Sequence, residues 1–247
     1  MISKNQLKLI HALEQKKQRK KHGLFLVQGE KNVAELVNSD FTIKQIFATS
    51  AYINHNSALL SKQDLVRITV EATEEELKKA GTLISNNSVL AVVECKESKV
   101  PTIRGNELIL VLDQVGDPGN LGTIIRVADW YGIEQIICSP DCADFYNPKV
   151  IAATMGSFAR VSVSHSELPE YLAVQSKPIY GAFLEGKNIH KTTLANSAFI
   201  VMGSESHGIS APVAQFISDK ITIPAFGQAE SLNVAMATGI ILDNFKR

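Results

Sequence analysis

Three loops of this chain contain polar residues of the types that bind a phosphate or orient a hydroxyl group. The first loop ends at Asn120 and leads into a helix that carries Arg126, the second contains Glu205, and the third contains Ser231 and Asn233. A guanidinium can bind a phosphate or stabilise developing negative charge, and amide and carboxylate groups can orient either partner. Each residue alone has a structural explanation, but three such loops together indicate a binding or catalytic site.

The sequence leaves two explanations open for Arg126. Asn120 is expected to be the N-cap of a helix that carries Arg126 among apolar neighbours. An arginine in such surroundings needs a partner, because burying an unpaired charge is costly. That partner is either an acidic side chain, Asp113 or Asp129, or a phosphate or reacting group.

The other two loops are equally open when each is considered alone. Glu205 lies between two glycines and could bind a ribose hydroxyl, a cation or Arg126. His207 beside it is either a catalytic base or, as we favour, an ordinary loop histidine. Ser231 could cap the last helix, and Asn233 could bond to a backbone carbonyl.

Length and composition narrow the class of protein. The 247 residues suffice for one large domain or two ordinary ones, and no apolar run is long enough to span a bilayer. The first residues lack the apolar core of a signal peptide. Cys95, Cys138 and Cys142 have no metal-ligand spacing, so we expect buried or incidental thiols, no metal and a reducing, cytoplasmic location.

The net charge of zero conceals an asymmetry. Residues 1–99 carry 15 Lys/Arg against 11 Asp/Glu, a net +4, whereas residues 100–247 carry 10 against 14, a net −4. The basic segment near the N-terminus could contact RNA phosphates or could be a solvated helix end. Its candidate phosphate-binding residues are Lys16, Lys17, Arg19, Lys20 and Lys21.

The first 98 residues are predicted to form a small α/β domain. Helices are expected at about 4–17, with Ser3 as the N-cap, and at 30–38 and 52–61. Strands are expected at GLFLVQG, KQIFATS, LVRITV and SVLAVVEC. Thr73 to Glu76 fits a capping box that opens a further helix. Residues 99–106 contain charge, Pro and Gly without periodicity, and we predict that they are a linker.

Residues 107–247 form the second predicted domain. Its apolar strands alternate with helices, which is typical of a parallel sheet covered on both faces. Asn147 and Pro148 are expected to open one of the helices. Because ligands bind beyond the carboxyl ends of such strands, function is expected in the loops after Asp113, Leu184, Met202 and Pro224.

The order and spacing of these motifs resemble the SpoU (TrmH) group of SPOUT methyltransferases, which transfer a methyl group from S-adenosylmethionine to a ribose 2′-hydroxyl of RNA. The resemblance covers about residues 107–247. The segment 3–36 is more loosely similar to the ribosomal-protein-like RNA-binding domain that often precedes this catalytic domain. Three motifs carry the main resemblance: Asn120-Leu-Gly122 with Arg126 and Gly132, Met202-Gly203-Ser-Glu205-Ser-His-Gly208, and Ile223-Pro224 with Ser231-Leu232-Asn233.

The resemblance implies a trefoil knot around Gly203 and after Pro224, with the last helix threaded through it. It also implies a homodimer with the site near the subunit interface. One departure is Asp243-Asn244, where the family commonly has an aromatic-acidic pair. By the same resemblance, S-adenosylmethionine is contacted by Gly203, Ile223 and Leu232, with Ala182, Met202, Ala225 and Ser231 nearby.

The resemblance also places Arg126 at the ribose hydroxyl. Because a guanidinium keeps its proton, we expect it to clamp the adjacent phosphate and stabilise the developing alkoxide rather than act as a base. The proton would leave to phosphate or water. The arginine and the ribose would be oriented by Asn120, Glu205, Ser231 and Asn233.

The expected substrate is structured RNA, with ribosomal RNA preferred over transfer RNA because of the N-terminal domain. In that setting the basic segment is expected to bind phosphates. Three alternatives are a SPOUT methyltransferase acting on a base, a non-catalytic RNA-binding or assembly protein with the same fold, and a Rossmann-type oxidoreductase. Ser231, Asn233 and Arg126 favour methylation of the ribose over methylation of a base. The complete set of polar motif residues argues against a non-catalytic protein. A Rossmann-type oxidoreductase is disfavoured because no G-x-G-x-x-G motif follows a strand.

Overall fold

The computed structural model describes residues 1–82, 88–97, 100 and 107–247. The predicted linker at 99–106 therefore lies outside the described residues, apart from Val100. The chain forms two compact units, Met1–Glu97 with Asp144–Ala159, and Ser98–Ala143 with Arg160–Arg247. The sequence-based division differs, because it leaves residues 144–159 in the second domain.

The described part of the chain alternates short helices and strands throughout. The helices are α1 (Lys4–Ala12), α2 (Lys16–His22), α3 (Glu30–Val37), α4 (Ser50–His55), α5 (Ser57–Leu60), α6 (Glu74–Ala80), α7 (Pro118–Trp130), α8 (Pro148–Ala153), α9 (Leu168–Ala173), α10 (Ala211–Ala214) and α11 (Val234–Lys246). The strands are β1 (Leu24–Gln28), β2 (Ile43–Ala48), β3 (Thr69–Glu71), β4 (Val89–Glu94), β5 (Leu108–Leu112), β6 (Gln135–Cys138), β7 (Ser162–His165), β8 (Ile179–Asn188), β9 (Ala198–Met202) and β10 (Asp219–Thr222). Short 3₁₀ segments lie at Lys62–Ile68, Ser157–Ala159 and Ile189–Lys191.

The first unit is built on a four-stranded sheet in the order β1-β4-β2-β3. β4 pairs antiparallel with β1 and β2, and β2 pairs parallel with β3. Side chains of α1, α6 and the sheet form a common apolar core, because each element has a buried face. Fully buried members of this core include Ile10, Leu13, Leu26, Phe47, Leu77 and Leu90.

Several helix starts of the first unit follow from local sequence, as predicted. Ser3 caps α1, and Thr73 forms a capping box with Glu76 at the start of α6. Asn147 caps α8, and Pro148 occupies the first helical position. These predictions are confirmed because capping depends on residues that are adjacent in sequence.

Three predicted elements of the first unit are interrupted. The helix expected at 4–17 ends at Ala12, and a second helix begins after Gln15, which has an extended backbone. The helix expected at 52–61 is broken at Asn56. The strand predicted at LVRITV is a 3₁₀ segment up to Ile68, and only Thr69–Glu71 pairs with the sheet.

The segment Asp144–Ala159 is part of the first unit's packing. The Phe25 ring of β1 contacts Tyr146 and Phe158, with centroid distances of 4.5 and 6.4 Å. Asp144 forms an ion pair with Arg19 of α2. The segment is therefore held by aromatic packing and by a charged contact that no sequence periodicity predicts.

The second unit is built on a six-stranded sheet in the order β10-β8-β9-β5-β6-β7. Every described pairing in it is parallel, which confirms the predicted parallel sheet. The last helix, α11, packs against α7. Among the described helices, none has both the length and the hydropathy needed to cross a bilayer.

Strand β8 contains an irregularity beside β10. Gly181 pairs with Lys220, but the next residue of β10, Ile221, pairs with Lys187. Residues 182–186 are therefore an irregular segment of β8, called the excursion below, that has no partner in β10. Thr222 Oγ1 donates a hydrogen bond to the carbonyl of Leu184 over 3.0 Å. The excursion is thus attached to the carboxyl end of β10.

Candidate active site

The three polar loops start from one edge of the parallel sheet. β5 and β9 are neighbours whose last residues, Leu112 and Met202, are in register. β10 is the edge strand of the same sheet, separated from β9 by β8, and it ends at Thr222. Since the strands are parallel, the loops that follow them lie at the same edge, as the sequence predicted.

Asn120, Glu205 and Asn233 form a closed hydrogen-bonded cluster. Asn233 Nδ2 donates to Glu205 Oε1 over 2.6 Å and to Asn120 Oδ1 over 3.0 Å. Asn120 Nδ2 donates to the same Glu205 oxygen over 3.0 Å. The backbone N–H of Val234 is a further donor to Oε1, at 3.3 Å. The cluster joins one residue from each of the three loops.

Asn233 has two structural roles at once. Its Oδ1 accepts hydrogen bonds from the backbone N–H groups of Ala235 and Met236, so it is the N-cap of α11. Ser231, the residue considered as a cap in the sequence, is exposed and lies before it. The cap uses the amide oxygen of Asn233 and leaves the amide nitrogen for the cluster.

The prediction that Asn120 caps α7 is wrong. Asp117 is the N-cap, and its Oδ1 accepts a hydrogen bond from the backbone N–H of Asn120 over 2.8 Å. Pro118 occupies the first helical position, which fixes the start of the helix one residue after Asp117. Asn120 is therefore inside the first turn, where its side chain is available to Glu205.

Arg126 lies on the exposed side of α7, and neither of its expected acidic partners contacts it. Asp129 forms an ion pair with Arg160, and the buried carboxylate of Asp113 accepts a hydrogen bond from the backbone N–H of Ser210 over 2.7 Å. Within the described part of the chain, the Arg126 guanidinium has neither a hydrogen bond nor an ion pair. It is thus free to bind an external anion.

The loop from Gly203 to Gly208 is a compact turn. Ser204 and Gly208 exchange two backbone hydrogen bonds, of 3.1 and 2.9 Å. A Cβ atom on Gly203 would lie 2.1 Å from the Gly208 carbonyl carbon, so only glycine fits there. Gly208 has a φ of +67°, a left-handed conformation that favours glycine. His207 is exposed, and its backbone N–H donates to Ser204 Oγ over 3.2 Å.

The predicted cofactor residues lie in or after three adjacent strands, β8, β9 and β10. Ala182 opens the excursion of β8, Met202 ends β9, and Ile223 follows β10. Gly203, Ala225, Ser231 and Leu232 lie farther along the same two loops. Side chains of Leu184, Phe226 and Leu232 are exposed around this edge.

The structure contradicts the prediction that Arg19 binds RNA phosphates. Its side chain is buried, and it donates to Asp144 and to the carbonyl oxygens of Leu13 and Glu14. Its charge therefore stabilises the first unit and cannot reach a phosphate. The other four residues, Lys16, Lys17, Lys20 and Lys21, are exposed.

The three cysteines are free thiols, and Cys138 and Cys142 are buried together. A hydrogen bond from Cys138, with smaller contributions from Ser139 and Val115, lowers the pKa of Cys142 to about 7. Burial raises the pKa of Cys95 to about 11. In the described part of the chain, His, Cys, Asp and Glu form no group suited to a metal ion.

Sequence reasoning did not assign two of the residues that support the site. The sequence suggests Asp113 only as a strand end and a possible partner of Arg126, but its buried carboxylate anchors the start of α10 at Ser210. Asp117 is the N-cap of α7. The Asp117-Pro118 pair could have identified this cap from the sequence, because proline is favoured at the first position of a helix.

Two family models match the chain over consecutive segments. Residues 107–243 match the SpoU rRNA Methylase family. Residues 4–91 match the MRM3-like substrate binding domain. Together the two models cover both predicted domains.

Individual relatives match over most of the chain. It is 30% identical over 234 residues to the 23S rRNA (guanosine(2553)-2′-O)-methyltransferase RlmP of Bacillus subtilis, covering 93% of this chain and 91% of that protein. A structure of a TrmH-family RNA methyltransferase homologue from Porphyromonas gingivalis has a TM-score of 0.88 and 36% identity, covering 100% and 98% of the two chains. The AdoMet-bound rRNA methyltransferase of Sinorhizobium meliloti has a TM-score of 0.86 and 26% identity, covering 99% and 96%.

Proposed function

Because the chain belongs to the SpoU rRNA methylase family, we propose that it methylates a ribose 2′-hydroxyl of ribosomal RNA with S-adenosylmethionine. The observation that carries the proposal is the cluster of Asn120, Glu205 and Asn233, in which Asn120 belongs to the helix that also presents Arg126. Two relatives that match most of the chain are named as rRNA methyltransferases, which favours ribosomal over transfer RNA.

Arg126 binds the phosphate next to the reacting ribose in this proposal. Its guanidinium stays protonated, so it stabilises the negative charge that develops on the 2′-oxygen. S-adenosylmethionine, when bound, supplies an electrophilic methyl group. The protein's main contribution is to align the 2′-oxygen with that group, because alignment removes much of the entropic barrier.

The hydrogen-bonded cluster fixes the wall of the ribose site. Asn120 and Asn233 both donate to Glu205 Oε1, which restrains all three side chains. Ser231, exposed just before the cap of α11, is proposed to contact the ribose or the cofactor. These residues orient the substrate, whereas Arg126 acts on its charge.

The cofactor is expected to bind at the edge formed by β8, β9 and β10. Residues that would contact it are Ala182, Met202, Gly203, Ile223, Ala225, Ser231 and Leu232. The compact Gly203–Gly208 turn, which leaves no room for a Cβ atom at Gly203, supports this placement. We also propose that this part of the chain forms the trefoil knot implied by the family.

The RNA is expected to contact the first domain, residues 1–98, and residues 107–247 are proposed to be the catalytic domain. The phosphate-binding residues are Lys16, Lys17, Lys20 and Lys21, all exposed on or near α2. This assignment is supported by the match to a substrate binding domain over residues 4–91. Arg19 is not included among the proposed phosphate-binding residues, because its charge is neutralised by Asp144.

The working protein is proposed to be a homodimer in the cytoplasm. Trp130 at the end of α7 and Met236 on α11 are 85% and 63% exposed, although both are large and apolar. Because α7 and α11 pack against each other, these exposed apolar side chains support a subunit interface on the two helices. The three free thiols suit a reducing compartment.

A direct test compares 2′-O-methyl sites in total RNA from cells with and without this protein. The proposal expects one or a few ribosomal positions to lose methylation when the protein is absent. If ribosomal RNA methylation is unchanged and a transfer RNA position loses its methyl group, the substrate is transfer RNA.

Calorimetry should detect S-adenosylmethionine binding, and the absence of binding would favour a non-catalytic RNA-binding role.

A further inference from the structure

The two oxygens of the Glu205 carboxylate have different surroundings. Oε1 accepts three N–H donors, from Asn233 Nδ2, Asn120 Nδ2 and the Val234 backbone. Oε2 accepts no hydrogen bond from any described residue, and the side chain is exposed. One oxygen is therefore used to fix the carboxylate, and the other is available to a substrate.

The three donors also fix the direction of the open oxygen. They come from α7 and from the start of α11, so Glu205 is restrained from two elements outside its own loop. All three are N–H groups, which complement an acceptor oxygen and leave no site for a proton on Oε1. A carboxylate held in this way presents Oε2 in a constant orientation.

Methyl transfer to a hydroxyl requires an acceptor for its proton, and a positioned side chain is an alternative to the phosphate or water expected from the sequence. Arg126 is unsuited, because a guanidinium in a protein does not give up its proton to become a base. General-base catalysis by a positioned carboxylate accelerates such steps by about 10²–10⁴-fold. The open oxygen of Glu205 is on the same cluster that is proposed to hold the ribose.

We propose that Oε2 of Glu205 is the proton acceptor for the ribose 2′-hydroxyl, an inference that rests on the proposed function. The 2′-O–H bond breaks, and its proton forms a bond with Oε2. The electron pair left on the oxygen forms the bond to the methyl carbon, while the carbon–sulfur pair moves to the sulfonium sulfur and neutralises it. The proton then passes from the carboxyl group to water.

Other titratable groups near the cluster are less restrained. His207 is exposed, and its bonded atom is the backbone nitrogen rather than the ring. Glu230 lies in the exposed segment before Ser231, with no side-chain bond to a described residue. On α7, the carboxylate of Asp117 caps the helix and Arg126 is a cation. Glu205 therefore combines an open acceptor with a fixed position.

The test uses Glu205→Gln, with Glu230→Gln as the matched control. Glutamine can keep an oxygen toward the three donors but places an amide at the open position. Single-turnover transfer from labelled S-adenosylmethionine is measured on ribosomal RNA from a strain lacking this protein. We expect Glu205→Gln to slow transfer at least ~100-fold, and Glu230→Gln to stay within about threefold of wild type.

Binding and pH dependence separate a base from a positioning group. Calorimetric affinity for S-adenosylmethionine and filter-binding affinity for the RNA should change less than about threefold in Glu205→Gln. Its residual rate should rise roughly tenfold per pH unit above neutrality, more steeply than wild type, because hydroxide then accepts the proton.

The outcomes distinguish the two proposals. Slow transfer with intact binding supports Glu205 as the acceptor. A Glu205→Gln rate within threefold of wild type, or a loss explained by weakened binding, overturns that role and leaves the proposed function standing. Failure of the wild-type protein to methylate the RNA overturns both.

Discussion

Asn233 donates a hydrogen bond to Glu205 across 2.6 Å while its amide oxygen caps the last helix. One side chain thus links the start of α11 to the turn that follows β9. The amide is bifunctional, since its nitrogen bonds the carboxylate and its oxygen bonds two backbone N–H groups. Stability of the helix and geometry of the site are coupled through this residue.

Substitution of Asn233 should separate these two roles. Asn233→Ser retains a capping oxygen, so the free energy of unfolding should change by less than about 1 kcal/mol. It lacks the Nδ2 donor, and the misplaced carboxylate should lower methyl transfer by roughly 10²-fold. Asn233→Ala should show the same activity loss together with about 1 kcal/mol of destabilisation in urea unfolding. Equal activity of Asn233→Ser and wild type would argue against the cluster's role.

Arg126→Ala should remove methyl transfer while leaving the cofactor bound. The guanidinium is exposed and unpaired within the described part of the chain, so its loss should not disturb packing. The rate should fall by at least ~10²-fold, as for removal of a charge-stabilising donor. Calorimetry should give S-adenosylmethionine affinity within about threefold of wild type. A large loss of cofactor affinity would contradict the assignment. Arg126→Lys is the charge-matched comparison.

Gly203→Ala should disrupt the turn that supports the cofactor edge. The added Cβ would meet the Gly208 carbonyl carbon and oxygen at 2.1 and 2.3 Å, and backbone atoms cannot move aside easily. We expect loss of S-adenosylmethionine binding in calorimetry. Gly116→Ala is the control, because a Cβ there meets no atom within 4 Å. Normal binding by Gly203→Ala would contradict the predicted role of this turn.

The four exposed lysines of the basic segment should contribute to RNA affinity through phosphate contacts. Replacing all four with glutamine should weaken binding and reduce the slope of log affinity against log salt by roughly 3. Filter binding at several salt concentrations measures both quantities. S-adenosylmethionine affinity serves as the internal control, since the substitutions are in the first unit. An unchanged salt slope would mean that the RNA contacts another surface. The substituted residues are Lys16, Lys17, Lys20 and Lys21.

Arg19 should behave differently from its lysine neighbours. The side chain is 3% exposed, and Arg19→Ala would leave the Asp144 carboxylate without its cation. Breaking a buried pair from one side typically costs about 3–5 kcal/mol. Guanidinium chloride unfolding should show a loss of this order, whereas Lys20→Ala should change stability by less than about 0.5 kcal/mol. Comparable stability of the two variants would refute the structural assignment of Arg19.

The class of fold and the three loops of the site could be predicted from the sequence. Apolar strands alternating with helices required a covered parallel sheet, and parallel strands bring their carboxyl ends to one edge. Local capping signals such as Thr73-Glu76 and Asn147-Pro148 were also sufficient, because they depend on neighbouring residues. Asn120, Glu205 and Asn233 could therefore be grouped before their contacts were known.

Which polar groups pair within the fold and which remain open could not be predicted, because this depends on tertiary contacts. Charge pattern alone made Arg19 equivalent to Lys20, yet a contact with Asp144, 125 residues away, buries the arginine. The same limitation applies to Arg126, whose possible partners Asp113 and Asp129 bond elsewhere. Local sequence specifies helix and strand preferences, whereas desolvation and hydrogen-bond pairing depend on residues brought together from distant parts of the chain.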